Sequence, residues 1–335
     1  MAGGLTHNRK VAVTIDAAQV GGSSGSLTDF PVLLTKAMLP DEMFDSDGGN
    51  SAQNGGGDIR VTTDSGGSTA IPLEVVTFVT DPDPVNGEAE LWVAVPSLDK
   101  GADTTIYVWY NTSGTDSQPA VTDALGRNAV WSPSHLARWH MNTLLPVVDV
   151  TGNGFDIDNS VGTPSLVTGP WGGDAIDLDF GEYMWPGQVI TDPIADDEIS
   201  MGIWAKYPAP EAFSRPMVIR RAPGGNVRRE FDVSGDSSNN AIGFETRFGS
   251  ASTSVNSSHD PIPADTWQRW DGYDSDDEHV FFVNGAEVDR QSQLDDFTTD
   301  WRILFGARDV NGTNSESNYH AGEAAIRLAT SPDWI

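Results

Sequence analysis

The amino-acid sequence predicts an all-β protein built from two domains. Its 335 residues exceed one ordinary domain and leave each half large enough to bury its own core. Short apolar runs alternate with turn signals that use many of its 35 glycines and 20 prolines, which is typical of strands. No long run of helical periodicity separates these strands, so a parallel sheet with crossover helices is disfavoured.

The first half is predicted to form an antiparallel β-sandwich over residues 1–125. Turn signals such as DSGG and DPDPVNG bound its apolar runs, and their spacing is typical of a sandwich. A loop is predicted over residues 46–57, which are rich in Gly and Asn. The predicted strands are KVAVTID (10–16), FPVLLTKAML (30–39), DIRVTT (58–63), AIPLEVVTFV (70–79), AELWVAVPSL (89–98) and TTIYVWYN (104–111).

Five segments of this half follow one another in a distinctive order: TDFPVLL, GGDIRVTTDSGG, IPLEVVTF, ELWVAVPSL and IYVWYNTSG. Their order and spacing resemble a small β-sandwich domain of unknown function that precedes LamG-like domains in phage and surface proteins. The resemblance covers residues 8–120. It implies an architecture and carries no established chemistry.

The second half opens at the junction ALGRNAVWSPSHLARWHMN (124–142) and continues through VVDVTGNGFDIDN, GGDAIDLDFGEYMWPG, ISMGIWAKYP, HVFFVNGAEV and YHAGEAAIRLATSPDWI. These segments resemble a concanavalin A-like lectin/glucanase domain of the LamG type. The resemblance implies a jelly-roll sandwich over residues 126–335, with HLARWHMN as its first strand. Independently of the resemblance, Asn284-Gly285 between two alternating runs predicts a two-residue β-hairpin.

The junction is predicted to be structured. Leu136, Trp139 and Met141 alternate with polar neighbours, which is the pattern of a half-buried strand. We therefore expect the two domains to be joined rigidly, with Trp131 packed at their interface.

Charge and composition exclude several classes of function. The net charge of −30 would repel nucleic acid and anionic membranes. The chain has no cysteine, which excludes disulfides and zinc-thiolate sites. The sequence also lacks an apolar run of signal-peptide or membrane-span length, so we expect synthesis in the cytosol and no membrane insertion. The surplus of acidic residues over lysine fits either a high-salt or marine setting or an ordinary acidic, soluble surface.

The segment DVTGNGFDID clusters side-chain oxygens, which are the ligands that Ca²⁺ prefers. It therefore predicts a Ca²⁺ site at Asp149, Asn153, Asp156 and Asp158. LamG-like domains often bind Ca²⁺ between this loop and the final strand. Here that strand carries Ala324 and Ala325 where the family usually has Asp and Glu, so one expected carboxylate is missing. A solvated Asp/Asn-Gly turn is the alternative interpretation.

Four aromatic residues are candidates for stacking on a sugar, because each is predicted in a loop or at a strand end: Trp171, Tyr183, Trp185 and Trp270. Burial in a core or interface is the alternative for all four. Tryptophans inside alternating strands are predicted to be core residues: Trp92, Trp109, Trp139 and Trp204.

Catalysis is not predicted. Asp177, Asp179 and Glu182 in DLDFGE superficially resemble the carboxylates of retaining glucanases, but an Asp stands in place of the nucleophilic Glu. The histidines are scattered, and the chain has neither a phosphate-binding Gly-Lys-Ser/Thr loop nor a G-x-S-x-G motif.

The sequence therefore favours a non-enzymatic virion surface protein: a head-decoration, turret or tail component of a tailed phage or archaeal virus. Its jelly roll would bind a carbohydrate or adhere to a host glycan. We expect contacts with other virion proteins and a homo-oligomer, a trimer by preference. The alternative is an extracellular or cell-surface protein, either a secreted glycan-binding lectin or a glycoside hydrolase.

Overall fold

The computed structural model describes residues 6–20, 26–111, 116–131, 135–189, 199–208, 215–221, 228–236, 239–247, 254–259, 263–275, 278–292, 301–307 and 319–328. These residues form antiparallel β-strands and a few short 3-10 turns, which confirms the predicted all-β class. None of them forms a helix long and apolar enough to cross a membrane. The end of the family resemblance, residues 329–335, lies outside the described residues.

The chain divides into two compact units. The first comprises residues 1–133 with the short segment 150–152, and the second comprises 134–149 and 153–333. The boundary therefore falls at 133/134, whereas we predicted it at 125/126. Val130 and Trp131, between these two positions, pack with Ala94 of the first unit.

The first unit is a sandwich of two antiparallel sheets. One sheet has the order β1-β7-β3-β4 and the other has the order β2-β6-β5. Short 3-10 turns at Ala17–Gln19, Lys36–Met38, Asp41–Met43, Pro84–Asn86 and Arg127–Val130 lie in its connections. The strands are β1 (Arg9–Ile15), β2 (Leu27–Thr35), β3 (Arg60–Thr62), β4 (Ala70–Ile71), β5 (Leu73–Val79), β6 (Glu88–Leu98) and β7 (Thr104–Tyr110).

The core of this unit lies between the two sheets. Strand β6 contributes Leu91 and Val93, and strand β7 contributes Ile106 and Val108; all four are buried. The chain changes sheet at Pro72, because β4 pairs with β3 while β5 pairs with β6. Proline lacks the N–H that a continuous ladder would need there.

Trp131 belongs to a smaller cluster within the first unit. It packs against Trp92, with ring centroids 5.3 Å apart, and lies with Ala94 and Val130. Its indole N–H donates to Glu74 Oε2 at 2.9 Å, so the polar end of the buried ring is satisfied.

The second unit is a jelly-roll sandwich. Its large sheet has the order β10-β11-β22-β13-β18-β19-β20, with β8 also paired to β22. The opposing sheet has the order β17-β16-β15-β14-β21, and β9 pairs with β12. The strands are β8 (His135–Trp139), β9 (Ile157–Val161), β10 (Ser165–Thr168), β11 (Asp174–Leu178), β12 (Tyr183–Pro186), β13 (Ile199–Lys206), β14 (Val218–Arg221), β15 (Arg228–Asp236), β16 (Asn239–Arg247), β17 (Ser254–His259), β18 (Gln268–Asp274), β19 (Glu278–Val283), β20 (Ala286–Ser292), β21 (Trp301–Leu304) and β22 (Tyr319–Leu328).

Alternate residues of the strands point into the core of this unit. Met201 and Ile203 of β13 meet Phe231 and Phe244 of the opposing sheet in one buried cluster. The Asn284-Gly285 hairpin between β19 and β20 is confirmed, and both turn residues have positive φ (52° and 77°).

Candidate functional site

The structure corrects the placement of Trp270. The residue lies inside β18 rather than at its end, and it is 0% exposed. Its ring stacks on Tyr207, with centroids 5.6 Å apart, and packs against Phe231 of the opposing sheet. It is a core residue and has no surface on which a sugar could stack.

The second candidate pair, Tyr183 and Trp185, lies on β12. The two rings are stacked with centroids 5.3 Å apart, but Tyr183 is buried and Trp185 is half-buried. Trp171 lies in the turn between β10 and β11, and its ring contacts that of Trp204.

Trp171 instead meets Trp204, which we predicted to be a core residue. The two rings make an edge-to-face contact with centroids 5.4 Å apart, and both are half-buried. Trp204 alternates with the core residues Ile203 and Ala205, so it points to the outer face of the large sheet. The prediction was wrong because a Trp in a strand can occupy either face.

Trp267 and Gly322 complete this patch. A Cβ on Gly322 would lie 3.0 Å from Trp204 Cβ and 3.3 Å from Trp267 Cζ3, so both tryptophans approach the backbone of β22 closely. Trp267 also lies 6.2 Å, centroid to centroid, from the ring of His320. We call the surface formed by Trp171, Trp204, Trp267, His320 and Gly322 the Trp204 face.

Two pairs of polar side chains flank the Trp204 face. His320 Nε2 lies 3.3 Å from Asp177 Oδ1, and the two residues are paired across β22 and β11. Lys206 Nζ lies 3.0 Å from Asp265 Oδ1 and 5.7 Å from the centroid of Trp267, within reach of a cation–π contact. Aromatic rings thus lie beside hydrogen-bonding side chains.

Burial shifts the titration of the first pair. Burial lowers the pKa of His320 below its ordinary value, which outweighs the raising effect of the Asp177 carboxylate. Burial also raises the pKa of Asp177, against the lowering effect of His320. His320 is therefore neutral at pH 7 and can both donate and accept a hydrogen bond.

The four predicted calcium residues make hydrogen bonds within the protein, and calcium binding by them stays a prediction. Both oxygens of Asp149 accept backbone N–H groups, from Arg138 and Phe155, each at 3.1 Å. The Asn153 amide nitrogen donates to the Leu136 carbonyl at 3.0 Å. Asp156 Oδ1 accepts the backbone N–H of Asp149 at 2.8 Å, and Asp158 Oδ1 accepts that of Gly187 at the same distance. These contacts organise a turn, and the three carboxylates do not form a cluster of neighbouring ligand atoms.

The carboxylates of DLDFGE are likewise used in different ways. Glu182 accepts the backbone N–H of Thr163 at 2.6 Å and that of Asp179 at 3.1 Å. Asp177 faces His320, as described above, and Asp179 is exposed. Glu182 therefore holds a turn together, which is a structural task.

A second acidic group lies on the opposing sheet at Glu230, Asp232 and Glu245. Two arginines neutralise it: Arg215 contacts Glu230 at 3.2 Å and Asp232 at 2.5 Å, and Arg228 contacts Glu230 at 2.9 Å. Buried carboxylates with guanidinium partners form an ion-pair network, and these contacts give no reason to place a metal there.

Sequence reasoning missed Trp204 and Trp267. For Trp204 a signal was present, because Ser200 and Lys206 share its side of the strand ISMGIWAK and mark that side as the outer one. For Trp267, which immediately precedes β18, the deciding fact is where the strand begins, and element boundaries are the least predictable feature of a sequence.

Comparison with known proteins finds solved structures that are similar to part of the chain. No protein-family model and no curated protein sequence matches the chain. Domain 4 of AbnA, a GH43 extracellular arabinanase from Geobacillus stearothermophilus solved in complex with arabinotriose, is 18% identical; the match covers 58% of this chain and 93% of that domain, with a TM-score of 0.45.

Binding domains of botulinum neurotoxins are similar at the same level. The neurotoxin DC domain in complex with SialylT is 11% identical, with 60% of this chain and 49% of that one covered and a TM-score of 0.44. The serotype C1 binding domain is 12% identical, with coverages of 60% and 50% and a TM-score of 0.44. Similarity at this distance concerns the fold and transfers no ligand to this chain.

Proposed function

We propose that the protein is a non-enzymatic glycan-binding protein and that the Trp204 face of its second unit binds the saccharide. The observation that carries the proposal is the assembly of Trp171, Trp204 and Trp267 on one patch from three separate elements. All three rings are half-buried, so each one is held in place and still exposes part of its surface.

The chemistry of the patch suits a sugar ring. A pyranose or furanose has an apolar face of C–H groups, which packs on an indole, and a rim of hydroxyl groups. Gly322 is buried, and a Cβ there would lie 3.0 Å from Trp204 and 3.3 Å from Trp267, so the two indoles close over the backbone of β22 and form a continuous apolar surface. A sugar ring would therefore stack on the indoles themselves.

The polar neighbours can satisfy the hydroxyl rim. The partly exposed Asp177 carboxylate and the exposed Asp265 carboxylate accept hydrogen bonds, so they suit hydroxyl groups at the edge of a bound sugar. A few convergent polar groups beside an apolar floor are what fix the orientation of a small ligand.

The experiment is a screen of immobilised oligosaccharides followed by titration calorimetry of the best ligand. Trp204→Ala should weaken binding by roughly 30-fold, which corresponds to about 2 kcal/mol, the size of a tryptophan hot spot. The matched variant is Trp185→Ala, which removes another half-buried indole of the same unit. It should leave the affinity within about twofold.

Two results would count against the proposal. If no glycan binds, the function is wrong. If Trp185→Ala abolishes binding while Trp204→Ala does not, a sugar is bound at the Tyr183–Trp185 stack and the Trp204 face is the wrong site.

We further propose that binding is not followed by hydrolysis, because both oxygens of Glu182 already accept backbone N–H groups. The bound oligosaccharide should stay intact during long incubation. Turnover that disappears in Asp179→Ala and Glu182→Ala would instead establish the glycoside hydrolase alternative.

For its biological setting we propose the surface of a virion, as a head-decoration, turret or tail component in a homotrimer. The support is the resemblance of both halves to domains of phage and surface proteins, together with the cysteine-free chain of net charge −30. Mass spectrometry of purified particles should find the protein at copy numbers that reflect ring symmetry. Light scattering should give a trimer. A monomer found free in culture medium would favour the secreted lectin.

A further inference from the structure

The charges around the Trp204 face are mainly negative. Three carboxylates influence the pKa of His320: Asp177, Asp179 and Asp265. The cation that does so is the ammonium group of Lys206. Asp179 and Asp265 are exposed, so their charges are open to solvent. The lysine is already paired with Asp265 at 3.0 Å.

The next cation along the sheet is also engaged. Arg269 lies opposite Trp204 on β18, and only 13% of its side chain is exposed. Its guanidinium group contacts both oxygens of Asp271, at 2.6 to 2.9 Å. The pair lies over Gly202, where a Cβ would collide with both side chains.

An anionic sugar would therefore meet an unfavourable environment at this site. Its carboxylate or sulfate would lie beside like charges, and like-charge juxtaposition at an interface costs several kcal/mol. The whole chain adds long-range repulsion, since its net charge is −30. Neutral hydroxyl groups carry neither penalty.

We infer that the Trp204 face selects neutral saccharides and rejects those that carry carboxylate or sulfate groups. This inference rests on the proposed function, because it names the class of ligand for the same site. Asp179 and Asp265 act as the excluding charges, while the three indoles supply affinity that does not depend on charge.

The test compares oligosaccharides that differ in charge and share their length and linkage. The best neutral ligand from the screen is titrated beside its counterpart oxidised at C6 to the uronic acid, and beside the same oligosaccharide carrying a 6-O-sulfate. The neutral member of each pair should bind about tenfold more tightly or better at low salt. Discrimination should shrink at 1 M salt, where the screening length falls to about 3 Å.

Two variants test which residues cause the selectivity for neutral sugars. The double variant Asp179→Asn/Asp265→Asn should raise the affinity for the acidic sugar about tenfold and leave the neutral sugar unchanged, because it removes two charges and releases Lys206. The control is Asp289→Asn on β20, three strands from β13, which should change neither affinity.

The outcomes separate this inference from the proposed function. Equal or tighter binding of the acidic member overturns the inference and leaves glycan binding standing. Preserved discrimination in the double variant overturns the role of Asp179 and Asp265. If neither member of any pair binds, the proposed function fails and the inference falls with it.

Discussion

Two tryptophans on neighbouring strands should contribute very differently to stability. Trp270 is 0% exposed and lies between the two sheets, so Trp270→Ala leaves a cavity and should cost about 3–5 kcal/mol. Trp204 lies on the outer face and leaves no enclosed void when truncated. Its loss removes the edge-to-face contact with Trp171, which is worth about 1 kcal/mol.

Guanidinium unfolding followed by far-UV circular dichroism measures both changes as differences in the free energy of unfolding. Trp185→Ala serves as a reference, because it removes a half-buried ring from a stacked pair in the same unit. Its cost should resemble that of Trp204→Ala. If Trp204→Ala destabilises the protein as much as Trp270→Ala does, Trp204 is a core residue and the Trp204 face does not exist as described.

Three further predictions concern the second unit. Gly272→Ala should cost about 1–3 kcal/mol in chemical unfolding, because its Cβ would lie 2.6 Å from the buried Phe244 ring; an unchanged midpoint would contradict that packing. Burial alone would raise the pKa of Asp274, but Arg229 and His279 together outweigh burial and lower the pKa. Stability should therefore fall below about pH 4, and less steeply in Asp274→Asn. Asp149→Ala should lower Tm because the backbone N–H groups of Arg138 and Phe155 lose their acceptor. EDTA should leave the wild-type Tm unchanged. An EDTA-sensitive Tm would show that the loop binds Ca²⁺.

Much of the fold can be predicted from the sequence because the sequence patterns that specify strands and turns are local. Alternation in AELWVAVPSL predicts β6, and Asn284-Gly285 predicts the hairpin between β19 and β20. In each case a few neighbouring residues determine the local backbone conformation through their own side chains.

The candidate site is harder to predict from the sequence because it depends on the pairing of strands that are far apart in the chain. Trp171, Trp204 and Trp267 meet only when β22, from the end of the chain, is inserted between β11 and β13. Of the aromatic residues predicted to bind a sugar, Trp171 lies on the Trp204 face. Trp270 was misplaced because β18 begins two residues before it, which puts Trp270 within the strand and on its inner side.

The most direct test of the central claim is an NMR titration of protein labelled with ¹⁵N at tryptophan. Each indole N–H gives its own signal, so the neutral oligosaccharide chosen by the screen reports its contacts ring by ring. The signals of Trp171, Trp204 and Trp267 should shift together with one dissociation constant, while those of the buried Trp139 and Trp270 stay in place. Saturable binding that leaves the first three signals unmoved would contradict the Trp204 face as the site of glycan binding.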